Sequence, residues 1–580
     1  MFFKDGHNVK NKGVFLVMQN TQDKVKIFAL GGLDEVGNNL YVVDVNERLF
    51  ILDAGKKHPG GEMLGVDAII PDFTYLVENA ERIKGIFLTQ GHDEHIGSIA
   101  QLLTVINAPV YGTRLTMALA EDALIEAKMD VKKYKFNIIR DENTLYFDGV
   151  KVSFFKTTHS IPGSVGVCIH TPFGGIVYTS DFIFNHSVGS RYQTNYNKIS
   201  DIARNGVLCM LAESVNSESV GHASTGDSLE YTFEEAFSRT DGRIIFSLLS
   251  TDLHRIQMVV DLAVKYNRKV AITGRRMQRL IDLSVKLGYL KIPKDVLLSL
   301  GFINANRDNN MSDLVVITTG TRLEPFINLT RMIKGHDRFI RIQKTDTVVL
   351  AITTQLGTET RAASTMDMLY RTDANVIAVN KNLLPPSHAS SEDLKLMMNL
   401  LKPKYIIPVN GEYRHLMSHA KVANSMGYAD ENIIIMDNGE FALFDQGEYA
   451  PSMDIIELEE VLVDGHGVGD VGTVVLKDRQ MLSNDGVVAI VINLNRKTKK
   501  IIGEPEIVSR GFVFEAKDVN LFAEAKKIAA TVLEEKTQAG GRYFNWQDLR
   551  FDMRDRVGKF IYKTTKHRPI VIPIIEEFNL

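Results

Sequence analysis

Four side chains of the kinds that hold divalent metals stand at the ends of successive strand-like runs. His92 and His95 lie three residues apart on one polar loop, His159 follows a second apolar run, and Asp181 follows a third. Imidazole nitrogens and carboxylate oxygens gathered in this way are the usual ligands of a metal that activates water. Each histidine taken singly also reads as a satisfied loop or core residue, but four such groups at successive strand ends favour one shared site. Asp53 ends another short strand, and there a buried hydrogen-bonding role is favoured over ligation.

These residues need a scaffold of strands. An apolar run over 82–88 opens into Thr89-Gln90-Gly91-His92-Asp93-Glu94-His95, and 96–106 then takes helical periodicity. Polar groups at the end of a strand, just before a helix, are placed as an active-site loop. Runs over 152–156, 165–169 and 175–178 end before His159, in a turn, and at Asp181. From about 213 to 380, strand-like runs alternate with amphipathic helices, the pattern of a parallel α/β unit. Residues 402–445 return to short strands, with 405–409 leading into Asn410-Gly411-Glu412-Tyr413. Beyond 448–460 come a glycine-punctuated β segment over 461–502, two helices and a terminal strand at 570–574. No repeat or low-complexity tract interrupts this order.

Composition removes other classes. At 580 residues and 44% hydrophobic, the chain folds as several ordinary globular domains. Its longest apolar runs fall short of the roughly 20 residues that span a bilayer, and no secretory signal is legible. Cys168 and Cys209 are the only cysteines, so a disulfide framework is excluded and a reducing, cytoplasmic compartment is expected. The net charge of −4 offers no global attraction to nucleic acid, so any such contact is local. Residues 465–472 are glycine-rich but lack the context of a phosphate loop, and no nucleotide cofactor is expected. Arg554, Arg556, Lys559, Lys563, Lys566 and Arg568 form a basic run, read first as a solvated helix face and otherwise as a track for an RNA backbone.

Segments 89–97, 158–166, 179–182 and 408–414 together resemble the metallo-β-lactamase-fold ribonucleases of the RNase J family, and the resemblance extends over nearly all of 21–580. It implies an α/β chain: a metallo-β-lactamase αββα sandwich interrupted by a β-CASP α/β domain, with a small α+β C-terminal domain. The boundaries expected are 1–20 for an N-terminal extension, 21–212 and 381–446 for the two parts of the lactamase domain, 213–380 for β-CASP, 447–460 for a linker and 461–580 for a C-terminal dimerisation domain. The family's first motif reads His-x-His-x-Asp-His and serves two metals roughly 3.5–4 Å apart. Here His92, His95, His159 and the metal-bridging Asp181 match, while Gln90 replaces one histidine, Glu94 replaces the aspartate, and Asn410 replaces the histidine that closes the second site. In place of the family's His-x-Ser-Gly-His phosphate cradle stand Leu384, Pro385, Pro386, Ser387 and His388, the last matching a residue that assists leaving-group protonation. Glu213 and Thr251-Asp252 also depart from the family's Asp and Ser-Asn.

The pattern is similar to the divergent second paralogue of that family. It implies a chain of RNA decay and rRNA and mRNA processing with a degraded two-metal site, Asp181 and His388 being the catalytic residues. Such a chain would act as partner of an active RNase J paralogue and as a homodimer, with RNA as substrate and no membrane attachment. The alternative is a weak metal-dependent 5′→3′ exoribonuclease with endoribonuclease activity. On either reading the cation is Mn²⁺ or Mg²⁺ in preference to Zn²⁺, in substoichiometric amount or none, because amide oxygens suit hard cations.

Overall fold

The computed structural model describes residues 24–59, 63–185, 192–223, 228–305, 311–320, 324–352, 358–379, 384, 387–465, 467–469, 472–512, 519–539 and 545–579. The expected extension, 1–20, lies outside them, as do Pro385 and Pro386. The described residues divide into two compact units, one within 24–57 and 70–460 and the other within 58–69 and 461–579.

In the first unit two sheets stack. One has eight strands, in the order Glu448–Ile455, Glu440–Asp445, Lys24–Gly31, Leu40–Val45, Arg48–Leu52, Ile83–Leu88, Val110–Gly112 and Phe136–Ile138. The other has six: Tyr405–Val409, Val207–Glu213, Gly174–Tyr178, Val165–Thr171, Val150–Lys156 and Thr144–Phe147. Because strand side chains alternate between faces, Val25, Ile27 and Ala29 join Val152, Phe154 and Val167 in a core between the sheets. Phe28 and Leu30, on the same strand, point the other way into a core shared with helices Ile99–Val105 and Arg114–Glu126. The six-stranded sheet is covered in the same manner by Tyr196–Arg204, Ser391–Leu401 and Tyr413–Ser425. This is the αββα sandwich. Both faces of each sheet are buried, which is why the strands read as nearly unbroken apolar runs.

The inserted α/β domain is a five-stranded, wholly parallel sheet in the order Lys269–Thr273, Leu314–Gly320, Ile244–Leu249, Thr347–Leu350 and Asn375–Ala378. Its insertion leaves the sandwich undisturbed, because Val207–Glu213 pairs in parallel with Tyr405–Val409 and brings Glu213 opposite Val409. The chain leaves and re-enters the sandwich on neighbouring strands.

In the second unit Glu506–Arg510, Val487–Asn495 and Ile570–Phe578 form a sheet. One face, with Val488, Ile490 and Ile492, packs under helices Val519–Ala539 and Trp546–Thr565. Two expectations change here. The segment read as continuous β over 461–502 contains a 13-residue helix, Thr473–Asp485; good helix formers from Leu476 to Leu482 outweigh the Val474-Val475 pair, and Gly486, at φ 74°, ends it. Residues 63–69, assigned by sequence to the lactamase segment 21–212, pack instead with the C-terminal part, where Val66 and Ile69 meet Leu462.

Candidate functional site

The strand ends of both sheets converge on Asp181. Ile83–Leu88 delivers Gln90, the one-turn helix Asp93–Ile96 carries His95, Gly174–Tyr178 leads to Asp181, and Tyr405–Val409 leads to Asn410. Asp53, Ser180 and Asn410 all take left-handed backbone, at φ 64°, 56° and 48°. For non-glycine residues this conformation costs energy and persists only where the surroundings enforce it.

Asp181 is buried and both of its carboxylate oxygens accept hydrogen bonds. Gln90 Nε2 donates to Oδ2 at 2.8 Å, Asn410 Nδ2 donates to Oδ1 at 2.8 Å, and His95 Nε2 lies 2.8 Å from Oδ2. The Asn410 amide is oriented by a second bond, since the Gly37 backbone N–H donates to its Oδ1 at 3.1 Å. Its oxygen therefore faces away from Asp181 and its NH₂ faces in. On its other side His95 Nδ1 meets Asp53 Oδ2 at 2.7 Å, and Asp53 also accepts from the Thr89 N–H at 2.8 Å and the Tyr178 hydroxyl at 2.9 Å. Burial alone would depress the His95 pKa, but the carboxylates of Asp181 and Asp53 outweigh it and hold His95 well above its usual value. Burial would likewise raise Asp181, yet His95 and then His388 pull it well below the carboxylate range.

His388 stands beside this cluster. Its Nδ1 is 2.5 Å from Glu213 Oε2 and 3.9 Å from Asp181 Oδ2. Against the opposing effect of burial, these carboxylates push its pKa up to about 10. Glu213 also accepts from the backbone N–H groups of Phe182 at 2.7 Å and Ala389 at 3.1 Å.

The remaining two histidines differ. His159 Nε2 is 3.4 Å from His92 Nδ1, and Ser160 Oγ is 3.2 Å from His92 Nε2. Burial, helped by the neighbouring His95, lowers His92 to about 4, and burial with His92 lowers His159 well below its usual value. Both rings are neutral. His159 Nδ1 and Gln90 Oε1 are buried with no hydrogen-bond partner among the described residues.

The donor set does not fit a two-metal centre. Two imidazole nitrogens 3.4 Å apart match one edge of a tetrahedral site with ligand bonds of about 2.0–2.1 Å, but no third His, Cys, Asp or Glu joins them among the described residues. Such a group of three occurs once there, at Glu94, Asp181 and His388, whose ligand atoms lie within 4.8 Å of one another. That set differs from the one expected by sequence, and of the two His388 nitrogens Nδ1 is paired with Glu213. Asn410 offers hydrogens where an oxygen ligand was expected.

Of the substrate-binding positions read from sequence, Leu384 has its side chain buried in the apolar core of the inserted domain. Ser387 does face a cleft, shared with His159, Ser160, Tyr192, His254 and Arg255. At about 40 Å³ this cleft has room for roughly one water molecule. The sequence reading missed Gly37, whose signal was a Gly-Asn pair in the loop after the first strand, and it missed Tyr192, His254 and Arg255, which the fold brings together from separate domains and which carry no local signal.

Comparison with known proteins agrees with this architecture. The chain matches the metallo-beta-lactamase superfamily over 33–207, the Ribonuclease J beta-CASP domain over 241–369, the Zn-dependent metallo-hydrolase RNA specificity domain over 386–436 and the Ribonuclease J C-terminal domain over 474–578. It is 38% identical to Ribonuclease J 2 of Staphylococcus epidermidis over 562 residues, covering 97% of this chain and 100% of that protein. It is 38% identical to Ribonuclease J2 of Bacillus subtilis over 559 residues, covering 96% and 99%. A crystal structure of a protein of unknown function from Enterococcus faecalis shares the fold at 14% identity with a TM-score of 0.50, over 73% of this chain and all of the other. With its inserted parallel sheet, its strand-end cluster and 38% identity to these ribonucleases over nearly its full length, the chain belongs to the RNase J family of metallo-β-lactamase, β-CASP ribonucleases.

Proposed function

We propose that this chain is a cytoplasmic subunit of RNA decay and of rRNA and mRNA processing, with little or no hydrolysis of its own, which pairs with an active RNase J paralogue and forms a homodimer when alone. One observation carries the reading: the Asp181 carboxylate, the expected metal bridge, is taken up by Gln90, Asn410 and His95. Metals supply this family's reaction with an activated hydroxide and charge stabilisation at the scissile phosphate. Here two amide NH₂ groups and one imidazole take three of the carboxylate's acceptor positions and compete with a bridging cation for it. What survives is the His388–Glu213 pair, which holds a proton beside the pocket where a leaving oxygen would take it.

A weak metal-dependent 5′→3′ exoribonuclease with endoribonuclease capacity is the second reading, favoured by the single three-ligand group Glu94, Asp181 and His388. Metal content measured beside turnover of 5′-monophosphorylated RNA separates the two. Fewer than two equivalents of metal and negligible turnover, with capture of an active paralogue in pull-downs, support the partner role. Two tightly held zinc ions, or failure to bind the paralogue, would sink it. Turnover that appears with Mn²⁺ or Mg²⁺ alone selects the second reading.

A further inference from the structure

We infer that the solvent face of helix Trp546–Thr565 is a contact surface for single-stranded RNA, made from residues with no part in the pocket around Asp181. The inference rests on the reading of the chain as RNA-acting and on no other part of the proposed function.

The helix buries Leu549, Met553, Val557 and Ile561 completely, so packing is satisfied by one stripe and makes no demand on the opposite one. That opposite face nevertheless carries two large rings, Phe551 at 58% and Tyr562 at 39% exposure. Their spacing of eleven residues is close to three turns, which sets them on one line about 16 Å apart, with Gly558 between them. Each ring has a cation on it: Arg554 lies 5.2 Å from the Phe551 centroid, and Arg568 and Lys566 lie 4.2 Å and 5.6 Å from that of Tyr562.

Ion pairing sorts the basic run into two groups. Arg556 is bound to Glu535 and Lys559 to Asp555, both at 2.8 Å. Arg554, Lys563, Lys566 and Arg568 have no carboxylate partner among the described residues. Cations near a helix C-terminus also answer the helix dipole, which accounts for Lys563 and Lys566. It accounts for neither Arg554, in the middle of the helix, nor the exposed rings. Aromatic faces for bases interleaved with unpaired cations for phosphates are the two components of sequence-tolerant single-strand binding.

The test is binding of a short fluorescent oligouridine to the full-length protein, followed by anisotropy across a salt series. Phe551→Ala and Tyr562→Ala should each weaken binding about tenfold, while Tyr562→Phe, which keeps the ring, should bind like the parent. Combined Arg554→Ala, Lys563→Ala, Lys566→Ala and Arg568→Ala should flatten the slope of log K against log salt by about 2–3. Circular dichroism and melting temperature of each variant establish that it is folded. Folded variants that bind within twofold of the parent with unchanged salt slope overturn the inference, as does loss of self-association in light scattering with RNA binding intact, which would make this face a protein interface. A parent chain that binds no oligouridine overturns the RNA-acting reading as well, and so is distinguishable from failure of this surface alone.

Discussion

The two halves of the expected metal centre have met different fates. On the side of His92 and His159 two neutral rings face each other with few partners, and one nitrogen has none among the described residues. On the side of Asp181, His95 and Asn410 the polar atoms are tied into a charged, closed network that runs on through Asp53 to Tyr178. On the first side no third His, Cys, Asp or Glu stands close enough to complete a ligand group among the described residues. On the second side the Asn410 amide supplies a donor to the Asp181 carboxylate. A changed ligand therefore matters less for what it removes than for where its replacement points.

The largest consequence concerns stability. Asp181→Ala would leave the His95 imidazolium and two amide donors buried without their acceptor, and removing one partner of a buried charge pair costs about 3–5 kcal/mol. Chemical denaturation of this variant should show a loss of that size. A loss below about 1 kcal/mol would mean that the network is not a structural substitute for metal.

A second experiment attempts to turn the closed half back into a ligand set. Gln90→His, Glu94→Asp and Asn410→His together should raise bound metal toward two equivalents by elemental analysis. The single changes should do little, because the ligands act as a unit. Turnover should recover only in part, since Glu213, Ser387 and Asp252 keep their altered identities. Full activity from these three changes would show that the pocket's other departures are harmless.

Part of this contrast was legible in the sequence. The ends of short apolar strands placed His92, His95, His159 and Asp181 in one region, and the strand-end position of Asp53 marked it as a hydrogen-bonding residue. The direction of the Asn410 amide was not legible, because it depends on the Gly37 N–H, 373 residues away in the chain. Amide oxygen was expected to favour hard cations, whereas the tether presents nitrogen. The burial of the Leu384 side chain was not legible either, because a motif match fixes a position in the chain and says nothing of the facing core. The pairing of 63–69 with the C-terminal unit was hidden for a related reason: it rests on Val66 and Ile69 meeting Leu462, a long-range contact with no local periodicity. Deleting 461–580 would expose those two side chains, so a truncation intended to test association should remove or replace them as well.

The two halves should also separate by pH. His388 is held up to about 10 in the folded chain, against about 6.5 when unfolded. Its contribution is complete below pH 6.5 and is lost as pH rises toward 10. His92 is held down to about 4, so the unfolded chain binds the extra proton between about 6.5 and 4, and stability falls as pH drops through that window. Burial also lowers His170 to about 4 and His419 to about 3, which adds to the acid limb, and raises Glu213 to about 7, which opposes it, so His388 and His92 each shape part of one limb. His388→Gln should flatten the alkaline limb and His92→Gln the acid limb, as read from denaturation midpoints across the pH range. If either substitution flattened the opposite limb, the two halves would be one coupled network.

The smallest effect expected is that of His159→Ala. The ring is buried and packs against His92 with centroids 4.8 Å apart, so truncation removes dispersion contacts. It also removes an unpartnered buried nitrogen, whose desolvation the folded chain now bears. These terms oppose, and the net change should stay within about 1 kcal/mol, well below that of Asp181→Ala. In a metal-loaded ribonuclease the same substitution strips a ligand and lowers metal content, activity and melting temperature together. Here all three should barely move. A fall in melting temperature that added metal reverses would instead place a cation between His92 and His159.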